Sequence, residues 1–169
     1  MSRFGRTISA LAIPALLLAV NATAQEKNSP PAYMRIDKDV DVSMRDGLVL
    51  KANVYRPAAP GKYPVILAIS AYGKDNLAAG YFPQAFNEEL KFYPGLCSNG
   101  SSCKYLRYEV ADPERWVPKG YIIMHVDTRG AGKSPGYLDP WSPQEARDFY
   151  DSIEWAARQP WSTGKVGLL

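Results

Sequence analysis

The run Tyr121-Ile-Ile-Met-His-Val126 constrains the fold of this chain more than any other stretch. It is apolar, rich in β-branched residues and only six residues long. That is too short for a helix and predicts a strand buried on both faces of a parallel sheet. Asp127 ends the run. The loop that follows packs Gly130, Gly132 and Gly136 around Arg129 and Ser134, which predicts tight backbone turns at the carboxyl end of the strand. Open α/β sheets place their ligand crevice at that edge.

Gly130-Ala-Gly-Lys-Ser134 follows a strand as a phosphate-binding loop would, but the spacing refuses that reading. Such a loop needs a glycine five positions before the Gly of Gly-Lys-Ser. Here that position is Asp127, whose carboxylate would repel a phosphate. The segment reads instead as a structural turn built from Asp127, Arg129, Gly130, Gly132 and Ser134, with Arg129 paired to a nearby carboxylate.

Met1 to Ala24 reads as a processing segment. Arg3 and Arg6 form a basic start, Ile8 to Val20 an apolar centre too short to span a bilayer, and Ala22-Thr-Ala24 a cleavage site. No cysteine follows to take a lipid, so the expected product is secreted or periplasmic, with no membrane anchor. Cleavage after Ala24 would leave 145 residues with 18 basic and 17 acidic side chains. That near-balance argues against a nucleic-acid partner.

Residues 25–33 read as a flexible lead-in, and 34–169 as one partial domain. Val40, Val42 and Met44 alternate with polar residues, Asp46-Gly47 supplies a turn, and Leu48, Leu50, Ala52 and Val54 alternate again. This predicts a half-exposed antiparallel hairpin. Val65 to Ser70 predicts a second buried strand. An insertion around 75–112 shows no readable fold beyond a weak helical stretch, Pro83 to Tyr93. It holds both cysteines, Cys97 and Cys103, separated by five small turn-forming residues. In an exported chain these predict a local disulfide rather than a metal site, since two thiols without a nearby histidine make a poor zinc shell. Ser142-Pro-Gln-Glu145 is a capping box that opens a helix running to about Arg158. Its expected sheet-facing stripe is Ala146, Phe149, Tyr150, Ile153 and Ala157, with Arg147–Asp151 and Glu154–Arg158 pairs on the other side. Val166 to Leu169 begins a further buried strand.

Several segments together resemble the CocE/NonD hydrolases, the cocaine esterase and X-Pro dipeptidyl-peptidase group of α/β-hydrolases. They are Met44-Arg-Asp-Gly47, Tyr55-Arg-Pro57, Ala71-Tyr-Gly-Lys74, Asp127-Thr-Arg-Gly-Ala-Gly-Lys-Ser134, Asp148-Phe-Tyr-Asp-Ser-Ile-Glu-Trp155 and Gly164-Lys-Val-Gly167. The resemblance implies the N-terminal part of an α/β-hydrolase fold, a hairpin leading into a mostly parallel sheet with crossover helices, truncated before the nucleophile elbow. It implies a serine hydrolase that needs no cofactor and acts on a small-molecule ester or amide or on a peptide. The triad would then lie beyond Leu169, so this chain alone is expected to be inactive.

Within the chain, the resemblance maps an oxyanion-hole donor onto Tyr72, in the loop Ser70-Ala-Tyr-Gly-Lys74 after the third strand. Ser70 and Ser134 are the serines nearest the sheet edge, and neither has a histidine partner. His125, the one histidine, reads as a packed core residue. The alternative reading is a non-catalytic binding module that keeps the first half of the fold, or a pseudogene product.

Overall fold

The apolar run becomes the middle of a sheet. In a computed structural model that describes residues 29–169, the strand Ile122–Asp127 is buried along its whole length. Residues 31–169 form one unit. The processing segment Met1 to Ala24 and the first four lead-in residues lie outside the described residues.

In chain order the strands are β1 (Met34–Ser43), β2 (Val49–Pro57), β3 (Tyr63–Ser70), β4 (Ile122–Asp127) and β5 (Ser162–Leu168). The helices are α1 (Ala78–Tyr81), α2 (Pro83–Phe92), α3 (Pro113–Trp116) and α4 (Pro143–Ala157), and a 3₁₀ turn spans Val117–Lys119. The spatial strand order is β1-β2-β4-β3-β5. β1 pairs with β2 and β2 with β4 antiparallel, whereas β3 runs parallel to both β4 and β5. Two connections that carry helices join the parallel strands, as parallel pairing demands.

Alternation along β4 sends its side chains to two cores. Ile122, Met124 and Val126 join Val42, Leu50, Val54, Val65 and Leu67 on the face where α4 contributes Ala156. Ile123 points the other way, into a cluster with Met34, Tyr55, Tyr105, Ala111 and Val117. Tyr105 and Ala111 belong to the 75–112 segment, which therefore roofs the second face. The hairpin is accordingly half-exposed in β1 alone, where exposed Asp41 and Ser43 alternate with buried Val42 and Met44. β2 buries Ala52, Asn53, Val54 and Tyr55 in succession because β4 flanks it and this roof covers it.

The helix α4 starts where the capping box predicts. Ser142 Oγ accepts from the Glu145 N–H at 3.1 Å, and the Glu145 carboxylate accepts from the Trp141 N–H at 2.7 Å. Its buried face differs from the expected stripe. Asp148, Ser152 and Ala156 are the buried positions, whereas Tyr150 is 56 % exposed and Ala146 is exposed. The cause is electrostatic: Arg129 draws Asp148 inward with two 2.8 Å hydrogen bonds, and Ser152 satisfies its hydroxyl on the Asp148 carbonyl at 2.8 Å. The Glu154–Arg158 pair forms at 2.7 Å. The Arg147–Asp151 pair does not. Asp151 accepts instead from the main chain and guanidinium of Arg45 in the β1–β2 turn, at 2.6–3.0 Å, and Arg147 turns to Gln144.

Candidate active site

Two loops leave the carboxyl edge of the sheet side by side, because Ser70 of β3 is in register with Asp127 of β4. The loop after β4 is wound around its own first carboxylate. Asp127 is 1 % exposed, and its oxygens accept from the Lys133 N–H at 2.8 Å and from the Lys74 N–H, across in the other loop, at 2.5 Å. Gly132 passes so close that a Cβ there would lie 2.3 Å from the Asp127 carboxylate, and one at Gly130 would lie 2.3 Å from the Leu138 nitrogen. Both glycines have left-handed φ, 54° and 76°. Asp127 thus fills the space a phosphate would need and uses the amides that would hold one.

Arg129 forks onto Asp148 and reaches Asp46 at 2.8 Å, tying loop, helix and hairpin turn together. The hydrogen bonds that Arg129 donates to Asp148 raise its pKa further above the ordinary guanidinium value.

Gly132-Lys133-Ser134-Pro135-Gly136 also spells G-x-S-x-G, the pattern of a nucleophile elbow. The geometry is not that of an elbow. Ser134 is 6 % exposed; its hydroxyl donates to the Asp127 carbonyl at 2.7 Å and accepts from the Lys51 N–H at 2.9 Å. No helix opens until Pro143. Ser134 pins the loop to β2. His125 offers no base either. It is buried against Tyr55, and its Nε2 contacts the Ala111 carbonyl at 3.0 Å, so Nε2 carries the proton. Burial lowers its pKa to about 4, which leaves it neutral at physiological pH.

The loop after β3 is built to present a side chain. Ser70 Oγ accepts from the Tyr72 N–H at 3.1 Å, Gly73 takes φ of 89°, and Asn76 Nδ2 donates to the Tyr72 carbonyl at 2.6 Å. The Tyr72 ring stands edge-on to Phe82 and Tyr108, with centroids 5.5 and 5.2 Å away. Glu109 lines the same cleft as Tyr72. That carboxylate, then burial, then Tyr108 raise the Tyr72 pKa above its ordinary 10.0, so the phenol keeps its proton and remains a donor. This cleft, of about 820 Å³, runs to Phe149, Tyr150 and Ile153 of α4. Of the stripe expected on the sheet, Ala146, Phe149, Tyr150 and Ile153 line this cleft, and Phe149 also packs against the core.

Cys97 and Cys103 are disulfide-bonded in the 75–112 segment. The same segment supplies Tyr108 and Glu109, and also Arg107, whose Nε donates to the Lys74 carbonyl at 2.8 Å. Sequence reasoning missed these three. The only available signal was aromatic and charged residues clustered in an otherwise unreadable stretch. Among the described residues no group of three His, Cys, Asp or Glu could hold a metal ion, and no helix is long and apolar enough to cross a membrane.

The family profile of X-Pro dipeptidyl-peptidase (S15 family) matches residues 46–169. Cocaine esterase of Rhodococcus sp. (strain MB1 Bresler) is 30 % identical over 133 residues, which cover 79 % of this chain and 18 % of the esterase. Among solved structures, a CocE/NonD family hydrolase of Staphylococcus aureus is 41 % identical with a TM-score of 0.64, covering 80 % of this chain and 22 % of that one. An aminopeptidase of the archaeon Thaumarchaeota, at 21 % identity and a TM-score of 0.54, shares the fold over 95 % of this chain and 23 % of its own. The chain therefore spans about a fifth of the length of the relatives it matches. With most of its length inside the family profile and this sheet order, the chain belongs to the X-Pro dipeptidyl-peptidase (S15) family of hydrolases and carries the N-terminal portion of their α/β-hydrolase fold.

Proposed function

We propose that residues 1–169 are the N-terminal portion of an exported serine hydrolase that cleaves esters or amides through an acyl-enzyme, and that this portion supplies its oxyanion donor, Tyr72. The observation that carries the reading is the placement of Tyr72. It lies just past the carboxyl end of β3, its phenol stays protonated, and it borders a cleft lined by the loop after β3, by Pro140, Trp141 and Ser142 at the end of the loop after β4, and by α4. β5 runs parallel beside β3 with Leu168 opposite Leu67. A nucleophile placed after β5 would therefore emerge at the same edge as Tyr72, as acyl transfer with an oxyanion hole requires. The esterase and hydrolase names of the relatives support the same chemistry. Export is supported by the basic, apolar and Ala-Thr-Ala regions of Met1 to Ala24.

The test joins residues 1–169 to the following segment of the Staphylococcus aureus relative and measures p-nitrophenyl ester hydrolysis. Turnover is expected in the joined protein, and no fluorophosphonate labelling is expected in the 169-residue chain. Tyr72→Phe should lower kcat by roughly 10²-fold with KM little changed, because the lost hydrogen bond strengthens as the tetrahedral oxyanion forms. Export should yield an N-terminus at Gln25. An unchanged kcat in Tyr72→Phe removes Tyr72 from the oxyanion hole. Stoichiometric labelling of the 169-residue chain reveals a nucleophile within it, and a joined protein that folds without turning over favours a binding module.

A further inference from the structure

Lys74 is a charged side chain that the chemistry above leaves without a role. Its side chain is fully buried, an uncommon place for lysine, and its ammonium sits among carboxylates from three parts of the chain. Nζ lies 2.7 Å from Asp39 of β1, 2.8 Å from Asp75 and 3.6 Å from Asp127 at the end of β4. The partners are themselves held. Asn53 of β2 donates to Asp75 at 2.8 Å and accepts from the Asp39 N–H at 3.2 Å, and Lys133 reaches Asp39 at 2.6 Å.

The backbone of β1 is irregular at this contact. Pairing with β2 slips between Asp37 and Val40, and Asp39 adopts φ of 55°, a conformation that side-chain-bearing residues rarely take. Strain of that kind persists where the surroundings over-determine it, and here the surroundings are the Asn53 side chain on the Asp39 N–H and the contacts of Lys74 and Lys133 with the Asp39 carboxylate. The main chain of Lys74 is fixed as firmly: its N–H donates to Asp127 and its carbonyl accepts from Arg107. Every polar group of the residue thus has a partner, and those partners include Asp39 of β1, Asp127 of β4 and Arg107 of the 75–112 segment. Tyr72 lies two residues upstream, across Gly73, whose φ of 89° sets the turn.

We propose that Lys74 is a positioning residue, a buried peg that fixes the turn after β3 against β1 and β4 and so holds the Tyr72 hydroxyl where an oxyanion develops. This rests on the reading of Tyr72 as the oxyanion donor. Lys74 touches no reacting atom; it acts through Tyr72 alone. A donor helps only if it is already aimed when charge develops, so a loosened turn lowers the rate while the protein stays folded and binds substrate as before.

A double-mutant cycle in the joined, hydrolytically active protein tests this, with folding checked by circular dichroism and thermal melting. Lys74→Met is expected to lower kcat by about tenfold or more with KM nearly unchanged. In a Tyr72→Phe background the same substitution should lower kcat by less than about twofold, because the group it positions is already gone. Asp39→Asn, which weakens the anchor without burying an unpaired charge, should give a smaller loss in kcat that also vanishes in the Tyr72→Phe background. It carries the cycle should Lys74→Met fail to fold. Equal losses in both backgrounds, or a folded Lys74→Met variant with unchanged kcat, overturn the positioning role. A Tyr72→Phe variant with unchanged kcat instead defeats the oxyanion reading beneath it, so the two failures are told apart.

Discussion

The two loops at the carboxyl edge of the sheet are neighbours in space and opposites in construction. The loop after β4 turns inward: Asp127, Arg129 and Ser134 use their polar atoms on its own backbone, on β2 and on α4. The loop after β3 is pinned from beneath at Lys74 and turns Tyr72 outward, into a cleft. A site of this kind divides its work between a rigid support and a presented group, and the glycine-rich, motif-bearing loop is the support. The eye is drawn to Gly130–Ser134 when reading the sequence, yet the candidate chemistry lies beside it.

The largest expected effect comes from putting one methyl group on each loop. Alanine at Gly130 would place its Cβ 2.3 Å from the Leu138 nitrogen and 2.6 Å from the Tyr137 carbonyl carbon, all backbone, at φ of 76°. Nothing there can move without opening the loop, so Gly130→Ala should cost roughly 3 kcal/mol or more in urea unfolding. At Gly73 the nearest atom is Asn76 Nδ2 at 2.8 Å, the end of an exposed side chain that can swing away by giving up its hydrogen bond to the Tyr72 carbonyl. There Gly73→Ala should cost only about 1–2 kcal/mol, chiefly for the left-handed backbone. Equal costs at the two sites would erase the distinction between support and presenting loop.

A smaller effect separates the support strand from the loops by pH. His125 lies in β4, and burial lowers its pKa from 6.5 to about 4. Its folded pKa is depressed, so the unfolded chain takes up a proton first as pH falls. The stability that neutral His125 confers is whole above pH 6.5 and is lost as pH falls through about 4. At 1.4 kcal/mol per pH unit for one proton, the loss over that window is roughly 3 kcal/mol. Asp75, in the loop after β3, behaves differently. Burial pushes its pKa up, but the Lys74 ammonium and the Asn53 amide outweigh that and hold it at about 2. Its contribution is whole above pH 3.8 and is lost as pH falls through about 2. Unfolding measured from pH 7 to 4 should therefore show a falling limb that His125→Gln flattens and Asp75→Asn leaves in place. A wild-type limb that survives in His125→Gln would assign it to another group.

The elements that sequence disclosed are those whose causes are local. A six-residue apolar run made β4, the Ser142–Glu145 cap opened α4, and Asp46-Gly47 turned the β1–β2 hairpin. The readings that failed had distant causes. The buried face of α4 is set by Arg129, nineteen residues before Asp148, and β2 is buried on both sides because a segment fifty residues later covers it. Asp151 left its i,i−4 partner for Arg45, 106 positions away. The contacts around Tyr72 are of the same sort. Lys74 meets Asp127 across 53 positions and Asp39 across 35, and Tyr108 and Glu109 come from a segment without readable periodicity. The letters of an elbow at Gly132–Gly136 show the converse, a local pattern whose role is decided by where Ser134 donates its proton.

The smallest effect concerns the presented group itself. Glu109 holds a left-handed backbone, φ of 54°, beside the Tyr72 hydroxyl, and its charge is the largest cause of the raised Tyr72 pKa. A nearby anion disfavours the phenolate, so the carboxylate keeps Tyr72 protonated. On the proposed oxyanion role of Tyr72, it also offers the hydroxyl a resting partner that a developing oxyanion would replace. Glu109→Gln removes the charge and keeps the side-chain shape. In the 169-residue chain, the Tyr72 pKa followed by NMR of its ring carbons should fall toward 10.0, while the unfolding free energy stays within about 0.5 kcal/mol, as expected for a group outside both cores. A Tyr72 titration that does not move would mean that Glu109 does not face the hydroxyl. A large loss of stability would make Glu109 part of the support and dissolve the division between the two loops at its most exposed point.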